Sequence, residues 1–235
     1  MNQPYYVSPE QLMKDRADFA RKGIARGRSV VVIGYTGGIA FVTENPSRAL
    51  HKISEIYDRI AFAAVGKYNE FENLRVAGIR YADLRGYSYD RADVNARGLA
   101  NAYAQTLGAV FTTESKPLEV ELAVAEVGPD QNSDQIYRLS YDGSVSDESG
   151  FVVMGGAADQ LGTLVAQEWR EGLELPEALR LAVGTLGSPA ARGEEEGKPR
   201  RIPATELEAA VLERDRHRRA FRRLRPAQLE SLLNE

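Results

Sequence analysis

Residues 28–44 read Arg-Ser-Val-Val-Val-Ile-Gly-Tyr-Thr-Gly-Gly-Ile-Ala-Phe-Val-Thr-Glu. Two runs rich in β-branched and aromatic residues, 29–35 and 39–43, flank a turn holding Gly37 and Gly38, and that pattern predicts an antiparallel hairpin. Ahead of it, Ser8-Pro9-Glu10-Gln11 makes a helix start. Ser8 can cap, Pro9 suits the first helical position, and Gln11 stands where a capping-box partner belongs. Met13, Ala17, Ala20 and Ile24 follow at helical spacing, so a helix is expected over 9–26, stopping at Gly27.

Further strands are expected at 52–57 and 60–65. The second is almost wholly apolar, as a strand covered on both faces would be. Helices are expected at 67–83 and 93–112, then strands at 118–127, 135–141, 144–147 and 151–154. Helices at 159–170 and 176–186, strands at 207–212 and near Ala220, and a helix at 226–233 complete the chain. Residues 187–203 carry Gly, Pro and charge with no apolar period, and are expected to form an exposed, mobile loop. Strand sets alternating with helix pairs imply layers: two sheets face to face with helices outside, an αββα sandwich of the α+β class preceded by an extra helix.

Composition narrows the function classes. A chain of 235 residues, 43% hydrophobic and 27% charged, is expected to form one domain with a full core. It has no apolar run near the length that spans a bilayer, and no signal-peptide pattern at its start. No membrane is therefore expected as a partner, and the cytoplasm is the default location. Two histidines and no cysteine argue against a structural zinc site, and no cofactor or metal is expected. A formal charge of −4 gives no general case for nucleic acid. The arginines at 214, 216, 218, 219, 222, 223 and 225 follow a strand carrying Glu206, Glu208 and Glu213, and no aromatic ladder interleaves them. An ion-paired surface strand is the expected reading. Gly155-Gly156 has neither phosphate-loop pattern around it, and Glu194-Glu195-Glu196 reads as a charged loop.

Four segments taken in order resemble a proteasome α-type subunit of the actinobacterial kind: the hairpin at 28–44, Asp18–Gly27, the Ser8-Pro9 opening, and Arg48–Asp58 with its Lys52. The resemblance extends from about residue 5 to residue 222. It implies the N-terminal-nucleophile hydrolase fold and a place in the outer heptameric rings of a bacterial 20S core particle. The implied partners are β subunits, other α subunits, and an ATPase or ATP-independent activator that docks by its C-terminal tail. Active members of that wider fold start the first strand with a threonine whose α-amine is the base. Here the strand starts with Arg28-Ser29, and the Gly-Thr pairs at 162–163 and 184–185 fall inside expected helices, so no catalytic residue is assigned.

The resemblance also implies sites. Lys52, with Arg21 and Gly27, would line the pocket between neighbouring subunits that receives the carboxylate of an activator tail. Tyr5, Tyr6, Val7, Ser8 and Pro9 would form the gate at the ring axis, residues 1–8 being the gate segment. Archaeal and eukaryotic relatives carry Tyr-Asp-Arg where this chain has Tyr5-Tyr6-Val7, so their gate contacts are not carried over. The rival reading is a catalytic proteasome-type peptidase with residues 1–28 as propeptide. A second rival is a stand-alone binding module that stays monomeric.

Overall fold

The computed structural model describes residues 8–194 and 197–235. Tyr5, Tyr6 and Val7 lie outside the described residues. Helix α1 (Pro9–Ala25) leads into the hairpin β1 (Val30–Tyr35) and β2 (Gly38–Glu44). Strands β3 (Ile53–Tyr57) and β4 (Ile60–Gly66) follow, then helices α2 (Tyr68–Ser88) and α3 (Ala96–Thr113). Next come β5 (Val120–Glu126), β6 (Gln135–Leu139), β7 (Val145–Asp147) and β8 (Phe151–Met154). Helices α4 (Ala158–Glu168) and α5 (Leu175–Leu186) precede β9 (Leu207–Glu213), β10 (Phe221–Leu224) and α6 (Pro226–Asn234).

The strands form two five-stranded antiparallel sheets, ordered β10-β9-β2-β1-β8 and β3-β4-β5-β6-β7. Alternation along each strand sorts side chains into three layers of core. Val30, Val32, Ile39 and Phe41 of the first sheet meet Ile53, Ala61, Ala63 and Val65 of the second between the sheets. On the outer face of the first sheet, Val31, Ile33 and Val42 pack under α4, α5 and α6 through Leu161, Leu179 and Leu229. On the outer face of the second, Ile60, Phe62 and Leu122 pack under α2 and α3 through Phe71, Leu99 and Leu107. This is the expected four-layer sandwich. The strands β1 and β4 are almost wholly apolar because both their faces are covered, and β2 is buried along its whole length although it ends in Thr43 and Glu44.

Several boundaries differ from expectation for local reasons. Ser8 accepts a hydrogen bond from the Gln11 amide at 3.2 Å, but the Gln11 side chain turns forward to Asp15 at 2.7 Å, so the capping box is half made. Helix α2 runs to Ser88 rather than Asp83. Its far end continues outward with Leu84 and Tyr87 exposed, where no apolar stripe marks a stop. The 187–203 segment is not uniformly exposed. It contains a short 3₁₀ turn at Pro189–Arg192, and Ile202 is buried against the α5 and α6 layer.

Helix α1 divides its apolar stripe. Ala20 and Ile24 enter the core between the sheets, while Leu12 and Phe19 are each 46% exposed. Ala20 and Ile24 therefore anchor the helix to its own chain, while Leu12 and Phe19 turn apolar surface outward.

Candidate functional site

The site is built around the connection from α1 to β1. Gly27 presses against the end of β4: a Cβ there would sit 2.9 Å from a Val65 methyl and 3.2 Å from the Gly66 amide. On the opposite side Gly156 approaches Ala25 so closely that a Cβ would lie 2.9 Å from the Ala25 Cα. Two glycines thus let the segment pass between the second sheet and the turn after β8. Ser29, where a nucleophile would stand, is buried, and its carbonyl accepts from the Thr43 hydroxyl at 2.8 Å.

Lys52 lies just before β3 and is positioned through its backbone. Glu208 of β9, 8% exposed, accepts from the Lys52 amide at 3.0 Å, the Ile53 amide at 3.1 Å and Arg223 at 2.8 Å. Asn45 joins the same carboxylate at 2.7 Å and holds the Leu50 carbonyl at 2.7 Å, which shapes the loop that delivers Lys52. The Lys52 Nζ then donates to the Arg28 carbonyl at 2.7 Å. The other nearby carboxylate, Glu44, is shared between Arg28 at 3.0 Å and Arg200 at 2.5 Å.

Both acids beside Lys52 are therefore committed elsewhere. Among the described residues no carboxylate oxygen lies within 4.0 Å of its Nζ. Burial lowers the Lys52 amine to about 8; Glu208 opposes the shift, Arg28 adds to it, and Glu44 opposes it again. The amine is a cation with a neutral acceptor and an open demand for an anion.

Arg21 sits on the exposed side of α1. It pairs with Asp18 at 3.2 Å and lies 5.8 Å from the centre of the Tyr141 ring. It lines a cleft of about 450 Å³ with Glu121, Arg138, Asp142 and Asp159, to which Lys52 does not contribute. Within one chain, then, Arg21 and Lys52 do not share a cleft, and Gly27 stands between them in sequence. Ser8 caps α1 and Pro9 begins it.

The residues that sequence reasoning missed are Glu44, Glu208, Arg28 and Arg200 as a charged cluster around Lys52. Only Glu208 had a visible signal, as an acid inside an otherwise apolar strand. The arginine run is largely ion-paired. Arg214 bonds Asp134 at 2.8 Å, Arg216 and Arg222 both meet Glu213, and Arg223 meets Glu208. Among the described residues no helix is long and apolar enough to cross a membrane, and no cluster of three potential metal ligands occurs.

An αββα sandwich with an added N-terminal helix, and a first strand that begins without a threonine, defines a class of subunit built on a hydrolase scaffold. The family model for proteasome subunits matches residues 24–199, and the chain belongs to that family. It is 74% identical to the proteasome subunit alpha of Sanguibacter keddieii, over 99% of this chain and 90% of the relative. It is 75% identical to that of Xylanimonas cellulosilytica, over 97% of this chain and 95% of the relative. The proteasome subunit alpha of Kineococcus radiotolerans is 70% identical over 99% of this chain and 98% of its own length.

Proposed function

We propose that the chain is a non-catalytic α subunit of a cytoplasmic bacterial 20S proteasome core. It forms the outer heptameric rings, narrows the entrance to the chamber, and docks an ATPase or other activator, while peptide cleavage belongs to the β subunits. The observation that carries the docking reading is the Lys52 amine. The residue's backbone is held by Glu208, itself bonded by Asn45, and among the described residues its amine hydrogen-bonds the Arg28 carbonyl and no carboxylate, so it is prepared for a carboxylate from outside. An arriving C-terminal carboxylate leaves water, and a cation with preset donors compensates that loss. Arg21 and Lys52 do not share a cleft within one chain, which suits a pocket completed by a neighbouring subunit. The half-exposed Leu12 and Phe19 of α1 supply an apolar contact for that neighbour.

The test is co-expression with the β subunit of the same organism, followed by native mass spectrometry and degradation assays. Lys52→Ala is expected to assemble into α and β rings yet lose activator-stimulated protein degradation. Unchanged stimulation would defeat the docking reading. Deleting residues 2–8 is expected to raise peptide hydrolysis by the assembled particle, and no increase would remove the gate reading of Tyr5, Tyr6 and Val7. An intact mass shortened before Ser29, with activity from this chain alone, would instead support the catalytic rival.

A further inference from the structure

The cluster behind Lys52 contains a residue from a remote segment. Arg200 lies near the end of the 187–203 stretch. Its amide donates to the Gly187 carbonyl at 2.7 Å, and Gly187 packs on the Arg200 carbonyl so closely that no Cβ would fit there. This anchorage sends its guanidinium to the end of β2, where Nη2 meets one oxygen of Glu44 at 2.5 Å. The second Glu44 oxygen is taken by Arg28 at 3.0 Å, and the Arg28 carbonyl is the acceptor for Lys52. Glu44 is 8% exposed, so each of its oxygens needs a donor.

We propose that Arg200 is a positioning residue for the Lys52 site: by occupying Glu44 it keeps that carboxylate off the lysine and leaves the cation available to an incoming C-terminal carboxylate. This inference rests on the docking reading above. Without Arg200, one buried oxygen of Glu44 loses its partner, and the flexible four-carbon stem of Lys52 lets its ammonium turn to fill the vacancy. The site would then be satisfied from within. The other charged groups facing the cluster do not prevent this. Glu208 is held by Arg223 and two backbone amides, with His51 at 3.4 Å, and Arg28 is already bound to the other Glu44 oxygen. The segment that looked like an uninvolved charged loop thus sets how strongly the docking lysine attracts a tail.

The experiment uses assembled α and β particles. The probe is a fluorescent peptide ending in a hydrophobic residue, tyrosine and one further residue, prepared with a free C-terminal carboxylate and as the C-terminal amide. Arg200→Gln is expected to weaken the acid peptide about fivefold by anisotropy titration, the effect of one half-exposed ion pair. The amide peptide should bind the wild type and this variant alike. Arg200→Lys should recover most of the loss. Arg200→Gln combined with Glu44→Gln should restore binding, because no carboxylate remains to capture Lys52. Wild-type affinity in Arg200→Gln overturns the proposal, as does a double variant that stays weak or an equal loss for the amide peptide. If Lys52→Ala itself leaves acid-peptide binding intact, the docking reading has failed rather than the role of Arg200.

Discussion

Lys52 and Lys116 are both partly exposed lysines that precede strands of the second sheet, β3 and β5, and they live in opposite circumstances. Lys116 meets Glu70 at 2.7 Å and Glu119 at 3.1 Å, and its ammonium sits 5.4 Å from the centre of the Phe19 ring. Burial acts to lower its pKa, but the hydrogen bonds it donates to the Glu70 and Glu119 carboxylates, with their charges, outweigh that and leave it raised. The Lys52 amine has two acids nearby and bonds neither, and burial takes it down to about 8. The difference is not in how much charge surrounds each lysine. It lies in whether that charge has already been claimed, by Arg28, Arg200 and Arg223 in the case of Lys52. A claimed neighbourhood leaves a cation that can recognise an outside anion, whereas Lys116 ties α1, α2 and the start of β5 together.

The contrast can be broken most directly by truncating each lysine in turn. Lys52→Ala should weaken an acid-ended tail peptide about thirtyfold, the loss of a charge-assisted hydrogen bond. Lys116→Ala should leave peptide binding intact and lower stability by about 1 kcal/mol, solvent screening at a side chain 40% exposed having reduced the Coulomb energy. Equal effects of the two variants on binding would erase the distinction.

A smaller effect concerns reactivity. At pH 7.5 an amine with a pKa of about 8 is about one-quarter neutral, against about one-thousandth for an ordinary lysine. Brief treatment with an amine-acylating reagent, read by peptide mass mapping, should modify Lys52 well before Lys116. The reverse order would contradict the environment described for both.

A further contrast is the pH dependence of stability, where the two lysines have opposite signs. For Lys52 the folded pKa is about 8 and the reference value 10.5, so within that window the unfolded chain holds more protons and stability rises with pH. The melting-temperature advantage of the wild type over Lys52→Met should grow from pH 8 to 10.5. Lys116 has a raised folded pKa, so its contribution is complete below 10.5 and declines as pH climbs through the raised value. The gap between wild type and Lys116→Met should therefore narrow at the alkaline end. Parallel curves for the two variants would show that neither environment is as described.

Much of the fold was legible because its signals are local. Ser8-Pro9 places the start of α1, the Gly37-Gly38 turn places the first hairpin, and the apolar run 60–65 reads as a strand covered on both faces. The end of α2 was less legible, since exposed Leu84 and Tyr87 carry the helix on where the chain shows no inward stripe. Lys52 could be singled out through the family pattern. Its partners could not, because Arg200 is 156 positions from Glu44 and Glu208 is 156 positions from Lys52. Local spacing marks Glu208 as an acid inside a strand but does not show which donors it, or Glu44, will meet.

By itself, then, the sequence determined the order of elements, the two-sheet layering and the absence of a threonine at the start of β1, since each depends on short-range propensity, alternation or plain residue identity. Tertiary structure alone decided which charges pair. The ends of β2 and β9, the residues before β3, and the end of the 187–203 segment meet only after the sheets have packed, and buried carboxylates there accept whatever donors the fold delivers. That delivery left Lys52 without an acid of its own.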